Sequence, residues 1–345
     1  MKEISNVTIT NNIILIIELY PYHYECTPGF TKYFIDLGYN VDILMHEFGK
    51  DSLCLFENKD KIRLFLYKNL DQINFFEKFL IHYMNYYPLI VVQSATFYRN
   101  KTISELELLK TDKSILVLHS TKTYEWMNFS NVKNQNRIWT LGHFNIGLQV
   151  NPHYFGDIKL KDKNKITRFF IISTAGRNYN YIISSAEKIK SENLVFEIFV
   201  IGHERGFSID NINETLKDNI IFNYNVNYST LYQTVDSSDY IIINLDPDRD
   251  YEFRKEKISG AAQLSYGFLK PVLMNDYFKD IYNMTNENSF LFKKENYYNV
   301  MKNAILLNKE DYKKKQINLL KLRNEIYNLS LLNIKKTLKS LLINY

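Results

Sequence analysis

The chain has 345 residues, which is long enough for two domains of ordinary size. A hydrophobic content of 46% excludes a disordered chain, and the net charge of +5 is too mild to indicate a nucleic-acid-binding protein. The chain has only Cys26 and Cys54, a polar N-terminus, and no apolar run near the roughly 20 residues that span a bilayer. We therefore predict a cytoplasmic protein in a reducing compartment.

The first half of the chain predicts strands that alternate with helices. Residues 12–19 form a continuous apolar run, which is typical of a strand buried on both faces of a parallel sheet. A helix is predicted over residues 30–37, with Gly38 as its C-cap. Further strands are predicted over residues 40–44, 62–67, 89–93, 114–118 and 137–141, with a helix over residues 71–86.

The second half repeats this alternation. Strands are predicted over residues 168–173, 195–201, 219–223, 240–245, 271–274 and 289–292. Helices are predicted over residues 178–190, 229–236, 259–267, 276–284 and 297–307. Residues 148–165 contain a proline, a glycine and a charged polar run, a composition that suits a linker between domains.

The pattern predicts an α/β fold with two Rossmann-like, doubly wound domains that face each other across a cleft. We place the first domain at residues 1–150 and the second at residues 166–310. Residues 311–345 combine an excess of lysines with apolar residues at helical spacing, which predicts a basic amphipathic helix. Such a helix more commonly packs on its own protein; the alternative is contact with an anionic membrane surface.

Two loops of the first half carry residues that could do chemistry. Glu25 and Gly29 follow the first strand, and His119 follows the strand over residues 114–118. A histidine at the carboxyl edge of a sheet can carry a proton near neutral pH, but it can also be an ordinary polar residue at a strand end. Gly29 would let the backbone approach a ligand, and the alternative is a tight turn.

Two loops of the second half suit an anion. Gly176, Arg177 and Asn178 lie between a strand and a helix, where an arginine can neutralise a phosphate. Residues 244–260 form a long connection, a kind of segment that is usually functional or disordered. This connection ends in cationic and small residues, namely Arg254, Lys257, Ser259 and Gly260. Cationic side chains together with open N–H groups predict a diphosphate site.

Four stretches, taken together and in order, resemble the nucleotide-sugar-dependent glycosyltransferases of the GT-B fold, close to the group-1 polysaccharide and lipopolysaccharide-type family. They are PGFTKYFIDLGYNVDIL; VLHS, which contains His119; AGRNYNYIISSA with FEIFVIG; and NYSTLYQTVDSSDYIIINL followed by SGAAQLSYGFLKPVL. The match extends over most of the chain.

The resemblance implies a hexosyltransferase-type enzyme of polysaccharide biosynthesis. It would move a sugar from a nucleoside diphosphate sugar, its co-substrate, to a hydroxyl of a glycan, a lipid-linked molecule or another acceptor. Gly202 and Tyr232 would lie beside the nucleoside, and His119 or Glu25 would be the acceptor contact or base. No cofactor and no nucleic-acid partner are implied.

The Asp-Xaa-Asp triplets at residues 246–248 and 248–250 could ligate a divalent cation. We predict no metal site, because in the resembled fold arginine, lysine and helix termini neutralise the diphosphate. A dinucleotide-dependent oxidoreductase is disfavoured, since no Gly-Xaa-Gly-Xaa-Xaa-Gly follows the first strand.

The chain departs from the resembled family at two places. The family's lysine a few residues after the Gly-Arg is replaced, and Tyr179, Asn180 and Tyr181 occupy that stretch. Many members carry a glutamate in the helix after the small-residue turn, where this chain has Gln263 or Leu264. The alternative function is therefore a catalytically degenerate relative that binds a nucleotide or glycan. The sequence leaves open the donor, the acceptor, and whether the product anomer is inverted or retained.

Overall fold

The computed structural model describes residues 12–19, 23–68, 86–95, 97–98, 101–102, 113–122, 135–208 and 212–341. The helix predicted over residues 71–86 lies outside this part of the chain, apart from Tyr86. The chain divides into two compact units. The first unit comprises Met1–Asp157 together with Tyr327–Tyr345, and the second unit comprises Ile158–Ile326.

A parallel sheet forms the centre of the first unit. Its strands are β1 (Ile13–Glu18), β2 (Asn40–His46), β3 (Ile62–Tyr67), β4 (Ile90–Val92), β7 (Ser114–Leu118), β8 (Ile138–Thr140) and β9 (Leu148–Gln149), with β5 (Phe97–Tyr98) and β6 (Lys101–Thr102) forming a separate antiparallel pair. The sheet has the order β3-β2-β1-β4-β7-β8-β9, and every neighbouring pair is parallel. β1 is buried over its whole length, as its unbroken apolar sequence requires.

Helix α1 (Thr27–Asp36) follows β1. It begins three residues before the predicted start, because Pro28 fits the first turn of a helix, where its missing N–H leaves no bond unmade. The rings of Phe30 and Phe34 stack with that of Trp139, and their centroids lie 6.1 and 6.2 Å, respectively, from the Trp139 centroid. Gly38 ends the segment with a φ of 90°, a conformation that favours glycine.

The second unit has the same architecture. Its strands are β10 (Thr167–Ser173), β11 (Phe196–Gly202), β12 (Ile220–Tyr224), β13 (Tyr240–Ile243), β14 (Val272–Asn275) and β15 (Phe290–Phe292). They form a parallel sheet in the order β12-β11-β10-β13-β14-β15. Its helices are α2 (Asn180–Ser191), α3 (Tyr228–Ser237), α4 (Glu252–Lys255), α5 (Gly260–Phe268) and α6 (Tyr297–Leu306). The predicted α/β class with two Rossmann-like domains is confirmed.

Each sheet has one topological switch point. The strand order reverses between β1 and β4 in the first unit and between β10 and β13 in the second. In open α/β sheets, ligands bind beyond the carboxyl ends of the strands at such a point. The polar residues that follow these strands are therefore the first place to look for a site.

A single helix, α7 (Lys309–Ser340), contributes to both units. Within the second unit, its Tyr312 hydroxyl donates to the Asp239 carbonyl at 3.0 Å. Within the first unit, its Thr337 hydroxyl accepts the buried Trp139 Nε1–H at 2.9 Å. No helix in the described part of the chain is long and apolar enough to cross a membrane.

The helix predicted over residues 276–284 is wrong. The stretch forms one short 3₁₀ turn, Asp276–Phe278, followed by further turns. Asparagine side chains explain the difference, because they bond to nearby backbone and compete with helix formation. Asn275 accepts the Tyr277 N–H at 3.0 Å, and Asn283 adopts a left-handed φ of 51°.

Candidate functional site

A pocket of about 190 Å³ lies at the switch point of the second unit. It is bounded by the residues after β10, the end of β13 and the start of α5. The lining residues are Ile172, Thr174, Arg177, Ile242, Ile243, Asn244, Leu245, Phe253, Ser259, Gly260 and Ala261. We call it the strand-end pocket. Two of the predicted site features, Arg177 and the Ser259–Gly260 turn, thus line one cavity.

Arg177 is the cationic side chain of the strand-end pocket. It follows Gly176, whose φ of 76° turns the chain after β10. Its Nη1 donates to the Asn244 carbonyl at 2.8 Å and to Asp250 Oδ2 at 2.6 Å. Its guanidinium carbon lies 5.2 Å from the centre of the Phe253 ring. Burial lowers the pKa of Arg177, partly offset by Asp250, yet an arginine stays charged at neutral pH.

Asn244 ties the pocket walls together. Its side-chain nitrogen donates to the Asn178 carbonyl at 3.1 Å, and its oxygen accepts the Tyr181 hydroxyl at 2.7 Å. These bonds join the end of β13 to the loop and helix that follow β10. Asn178 therefore braces the wall through its backbone and does not line the cavity.

The start of α5 presents backbone N–H groups to the pocket. The N-cap Ser259 makes no side-chain cap bond, and its own N–H donates to the Tyr282 hydroxyl at 3.0 Å. The N–H groups of Gly260 and Ala261 have no acceptor in the described residues. A Cβ built on Gly260 meets nothing within 4 Å. The helix start thus offers two donors and free space above them.

The other two predicted cations lie outside the lining. Lys257 donates to Glu252 at 2.8 Å, and its Nζ lies 5.9 Å from the centre of the Phe253 ring. Arg254 stacks on Tyr277 at 4.5 Å from the ring centre. Neither residue is among those that line the pocket.

The residues predicted to flank the nucleoside have structural surroundings of their own. Gly202 ends β11 with a φ of 136°, and a Cβ there would lie 2.3 Å from the Ser173 carbonyl oxygen. Glycine is needed there because the chain passes so close to β10. Tyr232 is fully buried in α3, with its ring 5.6 Å from that of Phe268.

Two of the three acids in the Asp-Xaa-Asp triplets are paired with cationic side chains of the protein, and the third, Asp248, is exposed. Asp246 lies 3.6 Å from Lys294 Nζ, and Asp250 pairs with Arg177 and Arg249. Within the described ranges, no group of three or more His, Cys, Asp or Glu side chains is arranged to hold a metal ion.

A second polar group lies at the switch point of the first unit. We call it the histidine cluster: Glu18, His23, Glu25, Gln93, Ser94 and His119. Glu18 is fully buried at the end of β1 and accepts from Gln93 Nε2 at 2.8 Å and from Ser94 Oγ at 2.6 Å. Gln93 and Ser94 directly follow β4, so the cluster spans the two strands between which the order reverses.

The two histidines of the cluster stack face to face, with ring centroids 3.8 Å apart. His119 Nε2 lies 3.0 Å from the Gln93 carbonyl oxygen, which can only accept, so this nitrogen carries the proton. Burial, reinforced by His23, lowers the pKa of His119 well below its ordinary value. Burial also acts to lower the pKa of His23, but Glu25, 3.6 Å away, and Glu18 outweigh it and raise that pKa.

Gly29 lies apart from these side chains, within α1. A Cβ on it would come within 2.5 Å of the Pro152 backbone. The space above Gly29 is thus filled by another segment of the same unit, and its small size lets the two backbones approach.

Several residues of the strand-end pocket and the histidine cluster were not predicted from the sequence. Glu18, His23, Asn244 and Asp250 each follow or end a strand at a switch point, and that position is the signal that could have found them. Their mutual contacts carry no sequence pattern, because they join segments that are far apart in the chain.

No protein-family model matches the chain, and no curated protein is similar to it at a significant level. Solved structures do share its fold. A glycosyltransferase from Rickettsia africae ESF-5 has a TM-score of 0.54 at 13% identity, over 97% of this chain and 100% of that one. The spinosyn forosaminyltransferase SpnP has a TM-score of 0.51 at 10% identity, over 97% and 100% of the two chains.

The β-glucosyltransferase of phage T4, whose substrate is UDP-glucose, has a TM-score of 0.53 at 13% identity. That match covers 94% of this chain and 99% of the phage enzyme. At such identities the similarity establishes the fold, which is GT-B.

Proposed function

We propose that the protein is a glycosyltransferase that moves a sugar from a nucleoside diphosphate sugar to an acceptor hydroxyl of a glycan, a lipid-linked molecule or another acceptor. One observation carries the proposal: the Arg177 guanidinium and the open amides of α5 line the same cavity at the switch point. Solved structures with this fold include enzymes that transfer sugars, which supports the same conclusion.

At the donor, the chemical task is to stabilise a departing diphosphate. Negative charge grows on the diphosphate as the bond to the sugar breaks, so donors fixed in advance lower the barrier. Arg177 and the amides of Gly260 and Ala261 would supply this stabilisation without a metal ion. Lys257 and Arg254 would add positive potential from outside the cavity, and Gly202 and Tyr232 would shape the wall beside the nucleoside.

At the acceptor, the chemical task is to remove a proton from a hydroxyl. The histidine cluster would do this, with Glu25 raising the proton affinity of His23. His119 stays neutral and keeps an unprotonated Nδ1, which can accept a hydrogen bond from the acceptor hydroxyl. Gly29 would act by holding α1 close to Pro152 and so fixing the position of this cluster.

The catalytically degenerate relative remains the second candidate. It is favoured by Gln263, which is buried in α5 where the resembled family carries a glutamate. Release of free nucleotide from a panel of nucleotide sugars and acceptors separates the two, because a degenerate protein binds nucleotide without turnover.

The test of the proposed site uses Arg177→Ala. Arg177 forms charge-assisted bonds to phosphate in the proposal, so we expect the variant to bind UDP or its best nucleotide at least tenfold more weakly. A thermal-shift screen over UDP, GDP, TDP and CMP finds that nucleotide, since a ligand of the native state raises its melting temperature. Arg168→Ala, near the opposite end of β10 where Arg168 pairs with Glu197, is the control. Equal affinity of Arg177→Ala and the native protein would remove this site.

We also propose that the protein acts in the cytoplasm and contacts an anionic membrane surface through α7. The last part of this helix exposes Lys335, Lys336 and Lys339, with Leu329 and Leu332 exposed at 41% and 52%. Lysines beside apolar side chains suit anionic lipid headgroups. Sedimentation with phosphatidylserine vesicles, but not with neutral ones, is expected; replacement of the three lysines by glutamine should abolish it. Equal sedimentation with neutral vesicles would refute the contact.

A further inference from the structure

Arg177 has more hydrogen-bond donors than it has partners. A guanidinium carries five N–H donors in a fixed plane. Nη1 makes the bonds to Asn244 and Asp250, whereas Nε and Nη2 have no acceptor in the part of the chain that the structure describes. The side chain is only 12% exposed and is one of those that line the strand-end pocket, so its remaining donors are available to a ligand there.

Asp250 is itself held in place by its own loop. Its Oδ2 accepts the Asp246 N–H at 2.9 Å, and its own N–H donates to the Asp246 carbonyl at 2.7 Å. Its carboxylate is 11% exposed and does not line the pocket. The carboxylate is therefore held by its own loop and lies outside the lining of the cavity.

Two acceptors on one nitrogen fix the orientation of the whole group. Because the guanidinium is planar, holding Nη1 between Asn244 and Asp250 and one face against Phe253 sets the direction of the Nε–Nη2 edge. That edge is the fork that binds two oxygens of one phosphate. An arginine without these contacts would sample many rotamers and lose conformational entropy on binding.

We propose that Asp250 is a positioning residue, which holds Arg177 so that its Nε–Nη2 edge binds one phosphate of a nucleoside diphosphate. This inference rests on the proposed function. Asp250 affects the ligand in two opposing ways: its hydrogen bond orients the arginine, and its negative charge repels the phosphate. Asparagine keeps an oxygen acceptor without the charge, whereas alanine removes both, so the two substitutions separate the effects.

The experiment measures UDP affinity by calorimetry for the full chain and its variants. We expect Asp250→Ala to bind roughly tenfold more weakly, and Asp250→Asn to bind at least as tightly as the native protein. The control is Asp248→Ala. The Asp248 carboxylate is exposed, lies in the same loop and makes no contact with Arg177, so the UDP affinity of this variant should equal that of the native protein. Arg177→Lys removes the guanidinium fork. When Asp250→Ala is added to Arg177→Lys, the UDP affinity should therefore fall little further below that of Arg177→Lys alone.

Native affinity in Asp250→Ala, or equal loss in Asp250→Asn and Asp250→Ala, would overturn the positioning role. The positioning role would also be overturned if Asp250→Ala weakened UDP binding as much in the Arg177→Lys background as it does in the native protein. If the native protein binds no nucleoside diphosphate, the proposed function fails and this inference fails with it. A third outcome is that the native protein binds UDP, Arg177→Ala does not bind it, and Asp250→Ala binds it with native affinity. In that case the proposed site stands and only the positioning role of Asp250 is refuted.

Discussion

His23 and His119 lie ring against ring, yet their surroundings push their pKa values in opposite directions. His119 is half-buried, its Nε2 donates to a backbone carbonyl, and no carboxylate of the described residues acts on its pKa. His23 is also largely enclosed, but Glu25 and Glu18 stabilise its cation. A stacked pair holds one proton more readily than two, since a second charge would meet the first at close range.

We expect the NMR signals of the two imidazoles to titrate separately. The midpoint of His23 should lie above the ordinary value of about 6.5, and His119 should stay neutral well below it. The Glu25→Gln variant removes the larger source of negative charge, so the His23 midpoint should fall while His119 moves little. A His119 midpoint near that of a free imidazole would contradict the burial argument.

The same shifts affect stability with opposite signs. Because the native pKa of His119 is lowered, its contribution is complete above about pH 6.5 and is lost as the pH falls below it, by up to about 1.4 kcal/mol per pH unit. The raised pKa of His23 gives a contribution that is complete below about pH 6.5 and is lost as the pH rises through its native pKa. Urea denaturation of His119→Gln from pH 5 to 8 should show a flatter acid limb than the native protein.

At the scale of elements, α5 is notable for what its first turn leaves open. Gly260 has an ordinary backbone conformation and free space around a built Cβ, so the fold itself does not require glycine there. Ser259 is extended, with φ −75° and ψ 130°, which is the conformation that a residue before proline prefers. The position therefore tolerates both alanine and proline in the native fold.

Gly260→Ala and Gly260→Pro form a matched pair. Both add a Cβ, but only proline removes the N–H, which has no acceptor among the residues that the structure describes. We expect both variants to unfold within about 1 kcal/mol of the native protein, and the proline variant to bind UDP several-fold more weakly than the alanine variant. Equal affinities would mean that this amide does not contact the ligand.

The strands of this chain can be predicted from its sequence, whereas the side-chain contacts between distant segments cannot. Apolar runs such as β1 and β13 are readily predicted as strands, because a strand buried on both faces needs an unbroken apolar sequence. The turn around Arg177 and the start of α5 were also predictable from small residues after strands. The helix expected over residues 276–284 failed because local asparagine bonds are invisible to a periodicity argument. The Arg177–Asp250 pair could not be predicted, since it joins two loops far apart in the chain.

At the scale of the whole molecule, the first unit is built from two separate segments, Met1–Asp157 and Tyr327–Tyr345. Its last piece includes Ile334 and Leu338, which are fully buried, and Thr337, which bonds to Trp139 and to the Asn136 carbonyl. Burial of each apolar side chain contributes about 1.5–3 kcal/mol, so this piece supplies much of a typical domain stability.

Removal of residues 327–345 should therefore unfold the first unit and leave the second folded. Tryptophan fluorescence follows the first unit alone, because the chain's two tryptophans, Trp126 and Trp139, both fall in it. We expect the emission of the shortened chain to shift to the red, while UDP binding by the second unit persists. Lys336→Ala, an exposed change in the same helix, should leave the emission unchanged. A native emission spectrum after the truncation would show that the first unit does not depend on this segment.

The discontinuity of the first unit also sets an order of events during synthesis. Its first strands leave the ribosome before the second unit, but Thr337, which bonds to Trp139, is translated only after the whole of the second unit. The second unit, continuous from Ile158 to Ile326, can finish folding while the earlier one still waits with apolar surface uncovered. A nascent chain that stalls before Tyr327 would thus be a substrate for chaperones through its incomplete first unit.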